Sequence, residues 1–218
     1  MKSLKTDKKE FLIYKNDLTE NVSCGKTISL DTETTGLSLV RDRLCLIQIA
    51  DEDNNCHLVK FDHDFFKKKK TPINLINLLN NDHIEKIFHF ARFDLAFIKK
   101  FLGVDCKNVF CTKIASKLVR TYTDRHGLKD LCREMLNIDL NKSQQTSDWS
   151  SKELLASQIK YAASDVIYLI KLKEKLVQML KREDRFELAQ NIFKFLNFRV
   201  ELDLLGWDQH DIFSHSSQ

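Results

Sequence analysis

The chain has 218 residues, 43% of them hydrophobic and 30% charged, with a formal net charge of +4. That length suits one domain with a full core, or a core domain carrying a helical extension, and a single Pro with five Gly argues against long flexible linkers. No run of about 18 apolar residues is present to span a bilayer, and the charged stretch from Met1 to Glu10 lacks the apolar centre of a signal peptide. Six cysteines (Cys24, Cys45, Cys56, Cys106, Cys111 and Cys132) form neither a CxxC pair nor a zinc spacing. They read as small buried thiols of a protein in a reducing cytoplasm.

In chain order, the first third reads as strands. Phe11–Tyr14 is short and apolar, Thr27–Thr32 alternates, and Leu44–Ile49 is a continuous apolar run suited to a buried strand. Cys56–Phe61 is expected to pair next, opening the fold with an antiparallel meander. Lys67 to Lys70 read first as a solvated loop and second as a basic funnel for RNA. They precede Pro72, placed at the first turn of a helix through Leu79. Ile84–Phe88 is a further strand feeding a helix from about Arg92 to Phe101, which Gly103 ends.

The rest reads as helical. Leu128, Leu131, Cys132 and Met135 follow the i, i+3, i+4, i+7 spacing. Ser150 with Glu153 matches a capping box and Trp149 with Leu154 a hydrophobic staple, predicting one long helix from Ser150 to about Lys181. A last helix spans about Arg185 to Leu204, followed by a tail from Gly206 to Gln218. Strands first and helices around and after them imply an α/β domain of α+β-like order, built on a mixed sheet.

Three separated segments carry acids suited to chemistry. Asp31 and Glu33 lie two apart on a strand and share a face, while Ile28, Leu30 and Thr32 face the other way. Tyr161 and Asp165 lie four apart on a helix and also share a face. Asp94 falls in the first turn of its helix, just beyond a strand end. Each alone has an ordinary reading: a turn acid, a lysine-paired helix face, an acid favoured by the helix dipole. If they converge, each close pair repels by about 4 kcal/mol at about 4 Å and an effective dielectric near 20. Divalent cations relieve that repulsion, and all-oxygen ligands favour Mg²⁺ or Mn²⁺.

At these residues the chain resembles the DEDDy 3′–5′ exonucleases, the RNase D-like branch of the DnaQ-type superfamily. The three motifs are Asp31-x-Glu33, the segment His89-Phe90-Ala91-Arg92-Phe93-Asp94, and Tyr161-x₃-Asp165. Position 160 is Lys, where the histidine branch would need His, so the tyrosine branch is indicated. A narrower resemblance is to the NrnC-type nanoRNases. It rests on Arg41–Cys45, Phe110–Ser116, Thr121–Lys129 and the tail segments Leu204–Trp207 and Asp211–Phe213.

The resemblance implies a DnaQ/RNase H-like core over about 10–180, a C-terminal helix and tail over about 183–218, and one exonuclease domain over 1–218 without helical nucleic-acid-binding repeats. It implies a 3′–5′ exoribonuclease that releases 5′-mononucleotides, favours dinucleotides and assembles as a homo-octamer, with activity on longer RNA or DNA as the alternative. An RNA-binding scaffold that kept the fold but lost catalysis is less favoured, because all five motif positions are intact. Asp31, Glu33, Asp94 and Asp165 would serve two divalent cations, Mg²⁺ or Mn²⁺, with Tyr161 orienting the attacking water.

Thr34 beside the first motif, and Leu37 after it, are expected at the substrate. Leu37 reads as a wedge between bases or as a packed loop residue. His89 and Phe90 would line the 3′ nucleotide, unless His89 is a core histidine. Arg120, Arg125, His126 and Lys129, with Tyr122, offer a 5′-phosphate site or a solvated basic face. Gln144, Gln145, Ser147 and Trp149 resemble a substrate-side loop. The apolar-rich C-terminal end (Phe193, Phe195, Leu196, Phe198, Trp207, Phe213) suits either a subunit interface or packing on the core.

Overall fold

The computed structural model describes residues 2–6, 9–20, 22–141 and 143–215, so the last three tail residues, 216–218, lie outside the described residues. Seven strands form one mixed sheet: β1 (Lys2–Thr6), β2 (Lys9–Lys15), β3 (Thr27–Thr34), β4 (Leu44–Ala50), β5 (Cys56–Lys60), β6 (Glu85–Phe88) and β7 (Val109–Cys111). Their order across the sheet is β1-β2-β5-β4-β3-β6-β7. The expected antiparallel meander exists as β3-β4-β5, but it does not open the fold: β2 joins β5 in parallel, with Ile13 opposite Leu58. β6 and β7 also run parallel to β3, so the carboxyl ends of five strands share one edge.

The helices are α1 (Ile73–Asn80), α2 (Ala91–Leu102), α3 (Thr112–Val119), α4 (Leu128–Leu136), α5 (Ala156–Val166), α6 (Leu169–Arg182) and α7 (Phe186–Leu202), followed by a π turn at Asp203–Trp207. β4 is buried at every residue because both of its faces are covered. On one face Ile47 and Ile49 join Ile28 and Leu30 of β3 with side chains of α1, α2, α6 and α7. On the other, Cys45 and Leu46 pack with Ile159, Ala162 and Val166 of α5. All six cysteines are buried and none forms a disulfide. Among the described residues no helix is long and apolar enough to cross a membrane.

One long helix from Ser150 is the main correction. Asp148 accepts hydrogen bonds from both the backbone N–H and the hydroxyl of Ser150 (2.8 and 2.6 Å), which holds that residue in a turn. The helix starts later, at Ala156, where the side chain of Gln158 accepts the N–H of Leu155 at 2.9 Å. A break at Ile167–Tyr168 then separates α5 from α6. The Gly103 stop is observed: it adopts φ +69° and its N–H returns to the carbonyl of Lys99.

Candidate active site

The site lies at the edge where β3 and β6 end. Strand alternation sends Asp31 and Glu33 toward α5, and one helical turn brings Tyr161 and Asp165 onto the α5 face that meets them. Asp31, Glu33 and Asp165 each offer an oxygen within 4.8 Å of the other two. Asp94 comes from the opposite side of the sheet, on the first turn of α2. Thr32, pointing away from Asp31 as alternation requires, donates its hydroxyl to Asp94 at 2.7 Å. Acids from both faces of the sheet therefore meet in one cleft of about 590 Å³.

Electrostatics make the cluster unstable as a set of anions. Burial, then the charges of Asp94, Asp165 and Glu33, hold the Asp31 carboxyl well above the ordinary carboxylate range. Glu33 is pushed up to about 9 by burial and then by Asp165 and Asp94. Burial raises Asp94 to about 7, and the Thr32 hydrogen bond opposes that rise. The Tyr161 hydroxyl bonds Asp165, and burial with the neighbouring carboxylates pushes its pKa above the usual value. Converging hard oxygen donors, with Asp31 and Glu33 driven toward the neutral form by burial and by the neighbouring acids, form a donor set that fits Mg²⁺ or Mn²⁺.

The cleft walls include Thr34, Leu37, His89, Phe90, Gln145 and Trp149. Leu37 is 83% exposed, so it is not a packed loop residue. Its loop is organised by Asp42, whose carboxylate accepts the N–H of Ser38 (2.9 Å) and the hydroxyl of Thr35 (3.2 Å). A Cβ on Gly36 would stand 2.5 Å from that carboxylate, so a side chain there would push Asp42 out of these bonds. His89 is half-buried and its Nδ1 lies 2.9 Å from the Thr112 hydroxyl, which in turn donates to the carbonyl of Phe88. Phe90 precedes α2 with φ +71°, a strained geometry for an aromatic residue, and remains 43% exposed. Trp149 is buried, 6.0 Å ring to ring from Tyr161, while the Lys60 ammonium donates to its carbonyl.

The basic cluster is divided. Arg120 is 1% exposed and structural: it donates to the carbonyl of Arg125 (2.6 Å) and the Ser116 hydroxyl (3.1 Å), and pairs with Glu134. Arg125, His126 and Lys129 flank Gly127 and Leu128, which line the cleft, without lining it themselves. Nδ1 of His126 is 2.9 Å from the Ser116 hydroxyl, and burial followed by Arg120 and Lys117 lowers its pKa. Lys67 to Lys70 are exposed, with Lys68 paired to Asp64. Sequence reasoning gave no role to Lys113, which lines the cleft with its ammonium 4.4 Å from the centre of the Phe90 ring. It lies on a segment whose strand and helix are too short to declare a period.

Residues 8–181 match the 3′–5′ exonuclease family. The structure is similar to that of Brucella melitensis NrnC bound to pGG (TM-score 0.89, 46% identity, covering 94% of this chain and 98% of that one). It is also similar to the same nuclease with bound Mg²⁺ (TM-score 0.88, 45% identity, 94% and 99%). Ribonuclease D of Gluconacetobacter diazotrophicus is 31% identical over 160 residues, 73% of this chain; the chain spans 39% of the length of that curated relative. The chain belongs to the 3′–5′ exonuclease family, and within it is RNase D-like and of the NrnC type.

Proposed function

We propose that the chain is a metal-dependent 3′–5′ exoribonuclease that releases 5′-mononucleotides and favours very short RNA, dinucleotides above all. The observation that carries this reading is the convergence of Asp31, Glu33 and Asp165 within 4.8 Å, in one cleft with Asp94 and Tyr161. The similar nuclease whose structure contains pGG supports the short substrate, and the one with Mg²⁺ the cation.

Asp31, Glu33 and Asp165 would hold two divalent cations, with Asp94, fixed by Thr32, contributing from the side of α2. Bound there, the cations supply Lewis acidity for activating water and for the charge on the phosphate and departing 3′ oxygen. Tyr161 stays protonated through the neutral range, since its pKa is raised rather than lowered. Its hydroxyl therefore orients the attacking water and does not act as its base. Water oxygen joins phosphorus, the bond to the 3′ oxygen breaks, and the terminal nucleotide leaves as a 5′-monophosphate. Leu37 projects at the mouth to separate the last two bases, while His89, Phe90, Gln145 and Trp149 line the nucleotide. Arg125, His126 and Lys129 are the candidates for the far phosphate.

Phe195, Phe198 and Phe213 are exposed and gather with ring centroids 6.0 Å apart in successive pairs. That patch supports a subunit interface, and the NrnC-type resemblance makes the assembly a homo-octamer, which light scattering tests: a monomer would exclude it. The function is tested with 5′-labelled RNAs of two, five and twenty nucleotides, and matching DNAs, with Mg²⁺ and with Mn²⁺. Single-turnover rates should be highest on the dinucleotide and on RNA. A flat length profile removes the dinucleotide preference, and products other than 5′-mononucleotides remove the reaction.

A further inference from the structure

Gln48 stands out among the buried residues that the proposed reaction leaves without a role. It lies in the middle of β4, a strand buried at every residue, and is itself 0% exposed. On its face of the strand Leu46 packs into the apolar cluster beneath α5, and Leu58 of that cluster is its partner across β5. An apolar side chain would suit that environment, since a buried amide needs partners for both of its ends. Gln48 lacks one of them: Oε1 is buried and makes no hydrogen bond. The other end is occupied. Gln48 stands opposite Asp31 across the β3-β4 pair, and its Nε2 donates to Asp31 Oδ2 at 3.3 Å.

We infer that Gln48 is a positioning residue that fixes the rotation of the Asp31 carboxylate for cation binding. The inference rests on the metal-dependent reading above and deepens it. A carboxylate that must share a cation with Glu33 and Asp165 needs its free oxygen aimed at them, and rotation about its last bond is otherwise soft. A donor on one oxygen holds the other in place. Gln48 does this from behind, out of the cleft: it is absent from the cleft wall. The orphaned carbonyl end is the structural cost of keeping an amide at a position where packing alone would select leucine or methionine. Thr32 likewise donates to Asp94 from the other face of β3, so two of the acids each have a dedicated side-chain donor.

The test is Mn²⁺ titration of wild type, Gln48→Met and Gln48→Leu, followed by the electron paramagnetic resonance signal of free Mn²⁺, with thermal melts in EDTA. Wild type should bind Mn²⁺, and both variants should bind about tenfold to a hundredfold more weakly, the usual effect of removing a partner of a metal-ligating group. In EDTA both should melt at or above the wild-type temperature, because the unsatisfied carbonyl is gone. KM for a dinucleotide at saturating Mn²⁺ should be unchanged, and excess Mn²⁺ should restore part of the lost kcat. Wild-type binding with variant affinities within twofold of it overturns this inference alone. Weakened binding accompanied by a lower melting temperature in EDTA also overturns it, since Gln48 would then be structural. Failure of the wild type to bind Mn²⁺ overturns the metal-dependent reading itself.

Discussion

Asp203 and Asp94 are both buried carboxylates beside the first turn of α2, 5% and 2% exposed, and their surroundings differ in kind. Asp203 is gripped by Arg92, whose Nε and Nη2 donate to its two oxygens at 2.6 and 2.7 Å, and by Arg199 at 2.8 Å. The same arginines tie down the carbonyls of Trp207 and Asp208, fastening the C-terminal turn to α2. Among the described residues Asp94, two along from Arg92, has the neutral hydroxyl of Thr32 as its one side-chain donor, and it faces three more acids across the cleft. Two of the chain's own arginines neutralise Asp203, whereas Asp31, Glu33, Asp94 and Asp165 crowd one another in a single cleft. An acid balanced within the chain holds the fold together; acids gathered without balance are suited to a cation from solution.

Replacing the unbalanced acids should therefore separate activity from stability. Asp31→Ala and Asp165→Ala are each expected to reduce hydrolysis to background while the metal-free protein stays folded, since each removes a source of repulsion. Turnover retained in either variant would end the metal-site assignment. At the balanced centre the outcome reverses. Asp203→Ala leaves two arginines facing one another without their carboxylate and should cost about 2–4 kcal/mol of folding stability, read from denaturant unfolding. Turnover per folded molecule should stay near wild type. Should Asp203→Ala prove as stable as wild type, the distinction between the two centres fails.

Within the cleft, Tyr161→Phe removes one hydroxyl without changing shape. A water-orienting role predicts a fall in kcat of about a hundredfold, with KM and Mn²⁺ affinity close to wild type. A change confined to KM would instead make Tyr161 a substrate contact.

The acids and the elements that carry them were legible because their signals are local. Alternation placed Asp31 and Glu33 on one face of β3, and Gly103 marked where α2 ends. What escaped the sequence depends on partners distant in the chain. The parallel pairing of β2 with β5 has no trace in either strand, since both are short apolar runs that fit either direction. At Ser150 the local pattern was present and lost to a competitor, the carboxylate of Asp148. The break at Ile167–Tyr168 contains neither Gly nor Pro, so nothing in the residues announced it. Arg120 reads as a surface base until Glu134 and the loop carbonyl of Arg125 are seen to enclose it. Gln48 sits inside an apolar run, and its bond to Asp31 follows only from the β3-β4 register.

The smallest expected effect is also the one that tests the imbalance most directly. Glu33 and Asp94 have pKa values raised in the folded protein to about 9 and about 7, against ordinary values of 4.5 and 3.8. Between those limits the folded metal-free protein holds protons that the unfolded chain has released. Folding stability from these groups is then fully present near pH 4 and declines as pH rises toward 9. Asp42, Asp62 and Asp148 act in the opposite sense, being held below the ordinary range by hydrogen bonds, but their contribution is lost only as pH falls into the acid range. In EDTA the melting temperature should accordingly fall by several degrees from pH 5 to pH 9, each 1 kcal/mol being worth about 2–4 °C in a domain of this size. Saturating Mg²⁺ should flatten or reverse that slope, because a cation binds the ionised acids and its stabilisation grows as protons leave. Glu33→Gln should make the slope in EDTA shallower, leaving the part that Asp94 contributes. A melting temperature in EDTA that is level or rising across this range would mean that the carboxylates are already balanced from within the chain, as Asp203 is.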